Sequence, residues 1–541
     1  VNDSDFIFEN ETDSKLEAEL KAEDGGTVPD EAKVAFAKKY LLDRAKNGTL
    51  FLTPDEWKEL NGAIVDQDVI EQASATVENI TKQDLSGKTG RKGITAARKA
   101  RNLQRRPIRD GFMQALAELR PPFPFKFTAK DRADGGTAHK EFNELLCLDR
   151  DFVEWNSLDH YVSKYPSPEG DAPYKYPFDK LFVIVSSHDT YTEISNVFQE
   201  QNRLACPSYD YASPVDIWTK PEVAERFKWI FYLFWRMKND RLNNHVYQNM
   251  FHLGTYTAGQ FKPYVARAIY REIRPVEWGD DRHAERVLDT SCGWGDRLAG
   301  FYATPTTKEY VGCDPSDATF MTYLEQVKAY ERWLGCPNPK VTQVKKGDPD
   351  DARWCSYPHN WFRVVGKKAV EIHQLPAEDF HPEPGFDLMF SSPPYFAVEQ
   401  YNADGEDADM QSWKRYPGYE GWREGFFKPM LRMSYETLKE DGIMLVNIID
   451  PKVKNKRFFS FDEMVEFIRD ELGGSYLGHG GMQIGKRPRD TSNGKDLLLM
   501  DPTNKATSVR RNWLEDVGVF AKRPLTLQRG GGSVLDMFDL D

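Results

Sequence analysis

Arg286-Val287-Leu288-Asp289-Thr290-Ser291-Cys292-Gly293-Trp294-Gly295-Asp296-Arg297-Leu298-Ala299-Gly300-Phe301 is the stretch on which the fold reading turns. Val287 and Leu288 end a strand, and Asp289 sits at its carboxyl end. Gly293 and Gly295 permit a tight turn and close backbone approach to a ligand. From Asp296 onward the sequence reads as a helix. A further strand follows at Tyr310-Val311-Gly312-Cys313 and ends in Asp314, where an acid is well placed to bind ribose hydroxyls. Strand, glycine turn, helix, strand, acid is the plan of a nucleotide-type cofactor site in an open α/β sheet. The glycines run Gly-Trp-Gly-Asp-Arg-Leu-Ala-Gly and not G-x-G-x-x-G. Asp289, placed before the turn, suits a cofactor with a cationic amine or sulfonium.

A second stretch lies downstream, at Phe386-Asp387-Leu388-Met389-Phe390-Ser391-Ser392-Pro393-Pro394-Tyr395-Phe396. Its apolar run reads as a buried parallel strand. Two prolines cannot donate to a sheet ladder, so the strand must end there in a stiff corner. The corner fixes the Ser392 side chain, the neighbouring carbonyls and the Tyr395 ring. That arrangement can grip a planar group bearing an exposed amine. The plain alternative is a proline-rich strand exit with a core tyrosine.

Together the two stretches resemble those of the class I S-adenosylmethionine-dependent methyltransferases that modify exocyclic amines, including the DNA adenine-N6 and cytosine-N4 enzymes. The family's Asp-x-x-x-Gly-x-Gly loop matches Asp289 to Gly295, and its (Asp/Asn/Ser)-Pro-Pro-(Tyr/Phe) corner matches Ser392 to Tyr395. The resemblance covers residues 254–524. It implies an α/β fold, a Rossmann-like class I methyltransferase domain, here with a mostly helical N-terminal region.

The resemblance also implies roles. Asp289, Gly293 and Gly295 would hold the methionine part of S-adenosylmethionine, and Asp314 its ribose. Phe261 and Pro263 lie in a segment that looks like the one packing over the methionine end. Glu378 and Asp379 fall where the family contacts the adenine ring. Ser392 and the Pro393 carbonyl would accept hydrogen bonds from the target amine, with Pro394 completing the corner. Tyr395 would stack on a base extruded from a duplex, and Phe396 is the alternative contact or a core residue. Gly442 to Ile448 looks like the fifth strand, and Gly478 to Gly485 with Asp516 to Lys522 like the closing hairpin. A serine at the head of the corner is commoner in cytosine-N4 enzymes. Cofactor loop before corner is the order more typical of adenine enzymes, so the base stays open. Related corners occur in RNA guanine-N2 and protein glutamine-N5 methyltransferases.

The chain has 541 residues, enough for two or three domains. Residues 1–30 read as acidic and poorly ordered, and 31–120 as a helical region with a basic run. Residues 121–250 read as a mixed α/β accessory region and helical lead-in, with a strand at Leu181 to Ser187. The catalytic domain is expected over 251–524 and a flexible acidic tail over 525–541. The net charge of −13 argues against tight nonspecific DNA binding by the whole surface. The charge is uneven, however. Lys82, Lys88, Arg91, Lys92, Arg98, Lys99, Arg101, Arg105, Arg106 and Arg109 form a run with only Asp84 inside it. It reads either as a phosphate contact or as a solvated helix docked on the acidic segment.

After the corner comes an insert in which Trp413, Lys414, Arg415 and Tyr416, with Tyr419 and Trp422, interleave aromatic and basic residues. One reading is a loop that stacks bases and meets phosphates; the other is a lid that only packs. Lys486, Arg487, Arg489, Arg510 and Arg511 add positive charge near the closing hairpin.

The six cysteines show no C-x-x-C pairing and read as free thiols in a reducing cytoplasm, a host's cytoplasm if the protein is viral. No metal site is expected from their spacing. No apolar run approaches the roughly 20 residues a membrane span needs, and the acidic start carries no signal-peptide pattern. The expected partner is nucleic acid, DNA first, with no membrane; a partner protein could dock on the N-terminal region or the acidic tail. The alternatives are an RNA or protein-glutamine methyltransferase of the same fold, and a non-catalytic binding or structural protein that retains it.

Overall fold

The computed structural model describes residues 30–45, most of 52–75 and 104–127, then 128–149, 153–155, 161–163, 180–184, 191–207, 212–219, 258–396, 400–401, 407–453, 456–483 and 512–528. The chain divides into two units. The smaller holds Asp3–Lys126 with Leu204–Ala258, the larger Phe127–Arg203 with Gly259–Asp541.

The smaller unit is helical where it is described. Asp30 caps the Glu31–Asp43 helix by accepting from the amides of Ala32 and Lys33. A reciprocal capping box between Thr53 and Glu56 starts the Pro54–Ile64 helix, which satisfies two amides that a helix start leaves unpaired. Leu41, Trp57, Leu60 and Phe112 form the core of this unit. Of the basic run, Arg106 and Arg109 turn onto Asp110, at 3.8 and 2.9 Å. Residues 81–103, the acidic start, 220–250, 484–511 and the tail from 529 lie outside the described residues.

The larger unit is built on one sheet. In chain order its strands are β1 (Val153–Trp155), β2 (Tyr161–Ser163), β3 (Lys180–Ile184), β4 (Arg286–Asp289), β5 (Glu309–Cys313), β6 (Lys340–Val344), β7 (Trp361–Val365), β8 (Ala369–His373), β9 (Phe386–Ser391) and β10 (Leu438–Asn447). The small pair β11 (Lys452–Val453) and β12 (Lys456–Arg457) stands apart, and β13 (Ser475–Gln483) and β14 (Asn512–Ala521) complete the sheet. The central order is β8-β5-β4-β9-β10-β14-β13. Strands β8, β5, β4, β9 and β10 run parallel, and β14 returns antiparallel to both β10 and β13. All six residues of β9 are buried, as a parallel strand covered on both faces requires.

The expected fifth strand and closing hairpin are present as β10, β13 and β14. The expected strand near Leu181 is β3, and it extends the sheet beyond β13. Residues 127–203 therefore belong with the sheet and not to a separate accessory region. Ile194, Val197 and Phe198 of the Glu193–Leu204 helix bury themselves in the main core, and that apolar face draws the segment in.

The chain changes direction between β4 and β9. From β4 it winds outward through β5 to β8, and then returns to start β9 on the other side of β4. At such a switch point the two flanking crossovers leave a crevice at the carboxyl ends of the strands. Asp289, Ser391 and Asn447 are the last residues of β4, β9 and β10, and Asp314 directly follows β5.

Close helix packing brings the glycine loop into position. A Cβ on Gly300 would lie 2.6 Å from both Ala266 Cβ and the Pro263 carbonyl oxygen. Gly300 thus lets the Asp296–Tyr302 helix touch the Pro263–Glu272 helix through backbone. Gly300→Ala should destabilise the protein by about 1–3 kcal/mol from overpacking, despite the better helix propensity of alanine. Urea unfolding checks this, and a midpoint at or above wild type would contradict it.

Candidate active site

Asp289 anchors the crevice. Its Oδ2 accepts from Arg297 Nε at 2.8 Å and from the Tyr310 hydroxyl at 2.6 Å. Its Oδ1 accepts from the Ser291 amide at 3.1 Å and from the Ser391 hydroxyl at 3.2 Å. A carboxylate offers about four lone-pair sites, and these four donors fill them. Asp289 is also wholly buried. It pairs with the guanidinium of Arg297. Its work is to hold the loop, the neighbouring strands and the corner together.

The glycine turn follows. Gly293 and Gly295 both have positive φ, 57° and 75°. At Gly295 a Cβ would also strike Gln326 at 2.5 Å, whereas at Gly293 the nearest atom would be the Ser291 carbonyl oxygen at 3.7 Å. The space before Gly293 is therefore open. Trp294 stands half-buried between them, edge-on to Tyr401 with ring centroids 6.3 Å apart.

Asp314 differs from Asp289. It accepts from the Gly293 amide at 2.8 Å and the Ser316 amide at 3.0 Å, with the Thr319 hydroxyl more distant at 3.4 Å. It keeps acceptor capacity and is 9% exposed. Burial pushes its carboxyl up to about 6, and the two amides only partly offset this.

The next acid behaves similarly. Asp296 accepts from Ser195 and Gln260, both of which approach from outside the glycine loop. Burial raises it to about 6 as well. Phe261 lies beside this group, edge-on to Phe390 and beneath the Arg297 guanidinium, and Pro263 opens its helix.

Glu378 and Asp379 sit on one short turn after β8. Both accept from Arg415 Nη1, at 2.6 and 2.8 Å, and Asp379 also accepts from Tyr357. Burial pushes the Glu378 carboxyl up to about 7.

The insert splits accordingly. Arg415 turns inward onto these acids and is not a free phosphate contact. The Tyr416 ring packs where a Cβ on Gly425 would be, within 2.2 Å. Lys414 is exposed and pairs with Asp409, and half-buried Trp413 donates to Gln411. Tyr419 and Trp422 belong to the packing: Trp422 is wholly buried, and Tyr419 stacks on Phe458 at 4.2 Å.

At the Ser-Pro-Pro-Tyr corner, Ser392 Oγ lies 2.9 Å from the Tyr395 hydroxyl and 2.9 Å from Asn447 Oδ1. The Tyr395 hydroxyl donates to the same Asn447 oxygen at 2.7 Å. Tyr395 is buried with its hydroxyl turned inward. Phe396 takes the core alternative, buried against Tyr419, Trp422 and Phe458, with φ at 41°.

Several partners escaped the sequence reading. A polar residue ending an apolar strand is a usable signal for Asn447, and a cation in the first turn after the glycine loop is one for Arg297. Ser195 and Gln260 carry no local signal, because only the tertiary fold brings them to Asp296. Among the described residues, no group of His, Cys, Asp and Glu side chains could hold a metal, and no helix is long and apolar enough to cross a membrane.

The fold of the larger unit is that of the Rossmann-like class I methyltransferases. No protein-family model matches the chain, and a search of curated proteins returns no match. Among solved structures the chain is similar to the 16S rRNA methyltransferase KamB, at 13% identity over 44% of this chain and 88% of that one, with a TM-score of 0.24. It is similar to an O-methyltransferase of a trans-AT PKS multienzyme of Brevibacillus brevis, in complex with S-adenosyl-L-homocysteine, at 12% identity over 44% and 67%, TM-score 0.24. A TehB-like SAM-dependent methyltransferase from Corynebacterium glutamicum matches at 11% identity over 52% and 95%, TM-score 0.23. At such scores the strand order, and not the overlap, defines the fold.

Asp314 gives the site a pH signature. Its folded pKa lies above the ordinary value of 3.8, so the folded protein binds a proton there more readily than the unfolded chain. Its charged form lowers stability at neutral pH, and that penalty vanishes as pH falls below the unfolded value. The stability of Asp314→Asn relative to wild type should rise between about pH 4 and pH 7, by at most roughly 3 kcal/mol. Unfolding curves at each pH measure it; an offset constant with pH would contradict the assignment.

Proposed function

We propose that this protein transfers a methyl group from S-adenosylmethionine to an exocyclic amine of a nucleic-acid base, adenine N6 or cytosine N4 in DNA. The observation that carries this reading is the Ser392-Pro393-Pro394-Tyr395 corner at the end of β9, beside the Asp289 loop to which Ser391 ties it. Acceptors for an amine and a cofactor-type loop thus meet at one switch point.

The residues present fit the cofactor. Asp314 has spare acceptor capacity for a ribose diol, and hydroxyl donors would relieve its buried charge. The open space before Gly293 admits the chain between ribose and methionine. Phe261 and Pro263 border the same loop. Glu378 and Asp379 follow β8 on the side where the adenine ring would lie, and Arg415 fixes their orientation. When bound, the sulfonium supplies an electrophilic methyl carbon.

The protein's own part is to position the amine. An exocyclic amine is a poor nucleophile because its lone pair is delocalised into the ring. Ser392 Oγ and the Pro393 carbonyl would accept its two N–H bonds and draw them out of the ring plane. The lone pair is then released toward the methyl carbon, and the hydrogen bonds strengthen as positive charge grows on nitrogen. This is stabilisation specific to the transition state together with orientation, with no covalent intermediate. Tyr395 would meet the base through its ring, since its hydroxyl is held inward by Asn447. The sequence of the run from Lys82 to Arg101 is rich in cations suited to phosphates, and this supports a nucleic acid over a protein substrate.

Labelled S-adenosylmethionine offered with duplex DNA, single-stranded DNA or total RNA tests the reading, with the modified nucleoside identified by mass spectrometry. N6-methyladenine or N4-methylcytosine in DNA is expected. Ser392→Ala should lower kcat on the order of 10²-fold, as loss of one transition-state hydrogen bond does, with cofactor binding unchanged. Label in RNA alone would overturn the DNA assignment, and cofactor binding without transfer to any nucleic acid would overturn the substrate class.

A further inference from the structure

A serine hydroxyl can donate or accept, so a Ser-Pro-Pro-Tyr corner does not by itself select an amine. The selection needs something to hold the Ser392 proton. Asn447, at the end of β10, has its Oδ1 within 2.9 Å of Ser392 Oγ and 2.7 Å of the Tyr395 hydroxyl. Its Nδ2 donates to the Asp516 carbonyl oxygen of β14 at 3.0 Å. A carbonyl cannot donate, so the nitrogen must face β14 and the oxygen must face the corner. Asn447 Oδ1 can then only accept. The Ser392 proton goes to it directly, or to Tyr395, which in turn donates to it. Either way that proton points into the protein, and Ser392 shows only lone pairs to the crevice.

We infer that Asn447, oriented by Asp516, locks Ser392 as an obligate acceptor and so sets the choice of an amino base over its carbonyl counterpart. The inference rests on the corner being the target-base site. A base with an N–H₂ group finds acceptors at Ser392 and the Pro393 carbonyl. A base with a carbonyl there meets oxygen lone pairs, and its own acceptor is left buried and unpaired. Sites built around a required hydrogen bond discriminate strongly for this reason. Asn447 is a positioning residue acting through Ser392.

The test uses single-stranded oligodeoxynucleotides differing at one base, cytosine against uracil and adenine against hypoxanthine, bound to the full chain with S-adenosylhomocysteine present. Wild type should bind the amino member of one pair at least about tenfold tighter, the size of one lost hydrogen bond. Asn447→Leu frees the Ser392 proton to turn outward, and the preference should collapse. Unchanged S-adenosylhomocysteine affinity and urea midpoint in Asn447→Leu, measured alongside, separate loss of polarity from mere folding. In a Ser392→Ala background, Asn447→Leu should have no further effect on discrimination. Methyl transfer by a wild type that shows no preference would overturn this inference alone, as would a preference that survives Asn447→Leu. Binding of none of the four, with cofactor bound, would overturn the nucleic-acid reading and this inference with it.

Discussion

The carboxylate of Asp289 is the constraint on which the crevice depends. One side chain joins five parts of the chain: its own strand β4, the Ser291 turn, the Arg297 helix, Tyr310 on β5 and Ser391 on β9. Burying a carboxylate and a guanidinium is costly, and removing one partner of such a pair leaves an uncompensated charge. The pair therefore fixes geometry more than it adds stability. Because β5 and β9 flank β4, the Asp314 side and the corner side of the crevice are referenced to the same two oxygen atoms. Any shift of one side is felt by the other.

The two strand-end acids illustrate how burial divides labour. Asp289 has all its acceptor sites filled from within, whereas Asp314 is held by two backbone amides and a more distant Thr319 hydroxyl and retains capacity. Asp296, which opens the helix after the glycine loop, takes Ser195 and Gln260 on one oxygen, Oδ1, while its Oδ2 is buried without a hydrogen-bond partner. That contact explains why the segment before the catalytic core belongs to the same unit as the sheet. The Glu193–Leu204 helix supports the glycine loop from behind as well as burying its own apolar face.

The central fold was legible because its signals are local. The apolar runs of β4, β5, β9 and β10, the glycine spacing and the double proline each dictate structure within a few residues. The hairpin of β13 and β14 was legible for the same reason. The direction in which polar side chains point was much less so. Arg415 reads as a cation among aromatics, yet the fold brings Glu378 and Asp379 to it from the turn after β8. Tyr419 and Trp422 read either as base-stacking residues or as packing ones, and their contacts with Phe458 and Phe396 place them in the packing. Asp289 reads as a strand-end acid, and the structure adds the Arg297 guanidinium beside it. For Arg415, Tyr419 and Trp422 the deciding partner is some tens of residues away and no periodicity announces it, whereas Arg297 lies only eight residues beyond Asp289. The boundary near residue 203 was missed similarly, since β3 joins the sheet through a pairing with β13 that only the tertiary structure reveals.

The pairing of β10 with β14 has a consequence for how chemical selectivity can be encoded. Asn447 faces Val517 in the register of the two strands, and the carbonyl that orients its amide belongs to Asp516. Along an antiparallel ladder, carbonyls and amides alternate in which way they face. A slip of one residue would offer Asn447 a different backbone group, and an amide in place of a carbonyl would favour the flipped side chain. The donor or acceptor character of a hydroxyl two strands away is thus stored as a matter of alignment. A property usually assigned to side-chain identity is here held in the backbone phase of the last hairpin, where a point mutation of the corner itself would not reveal it.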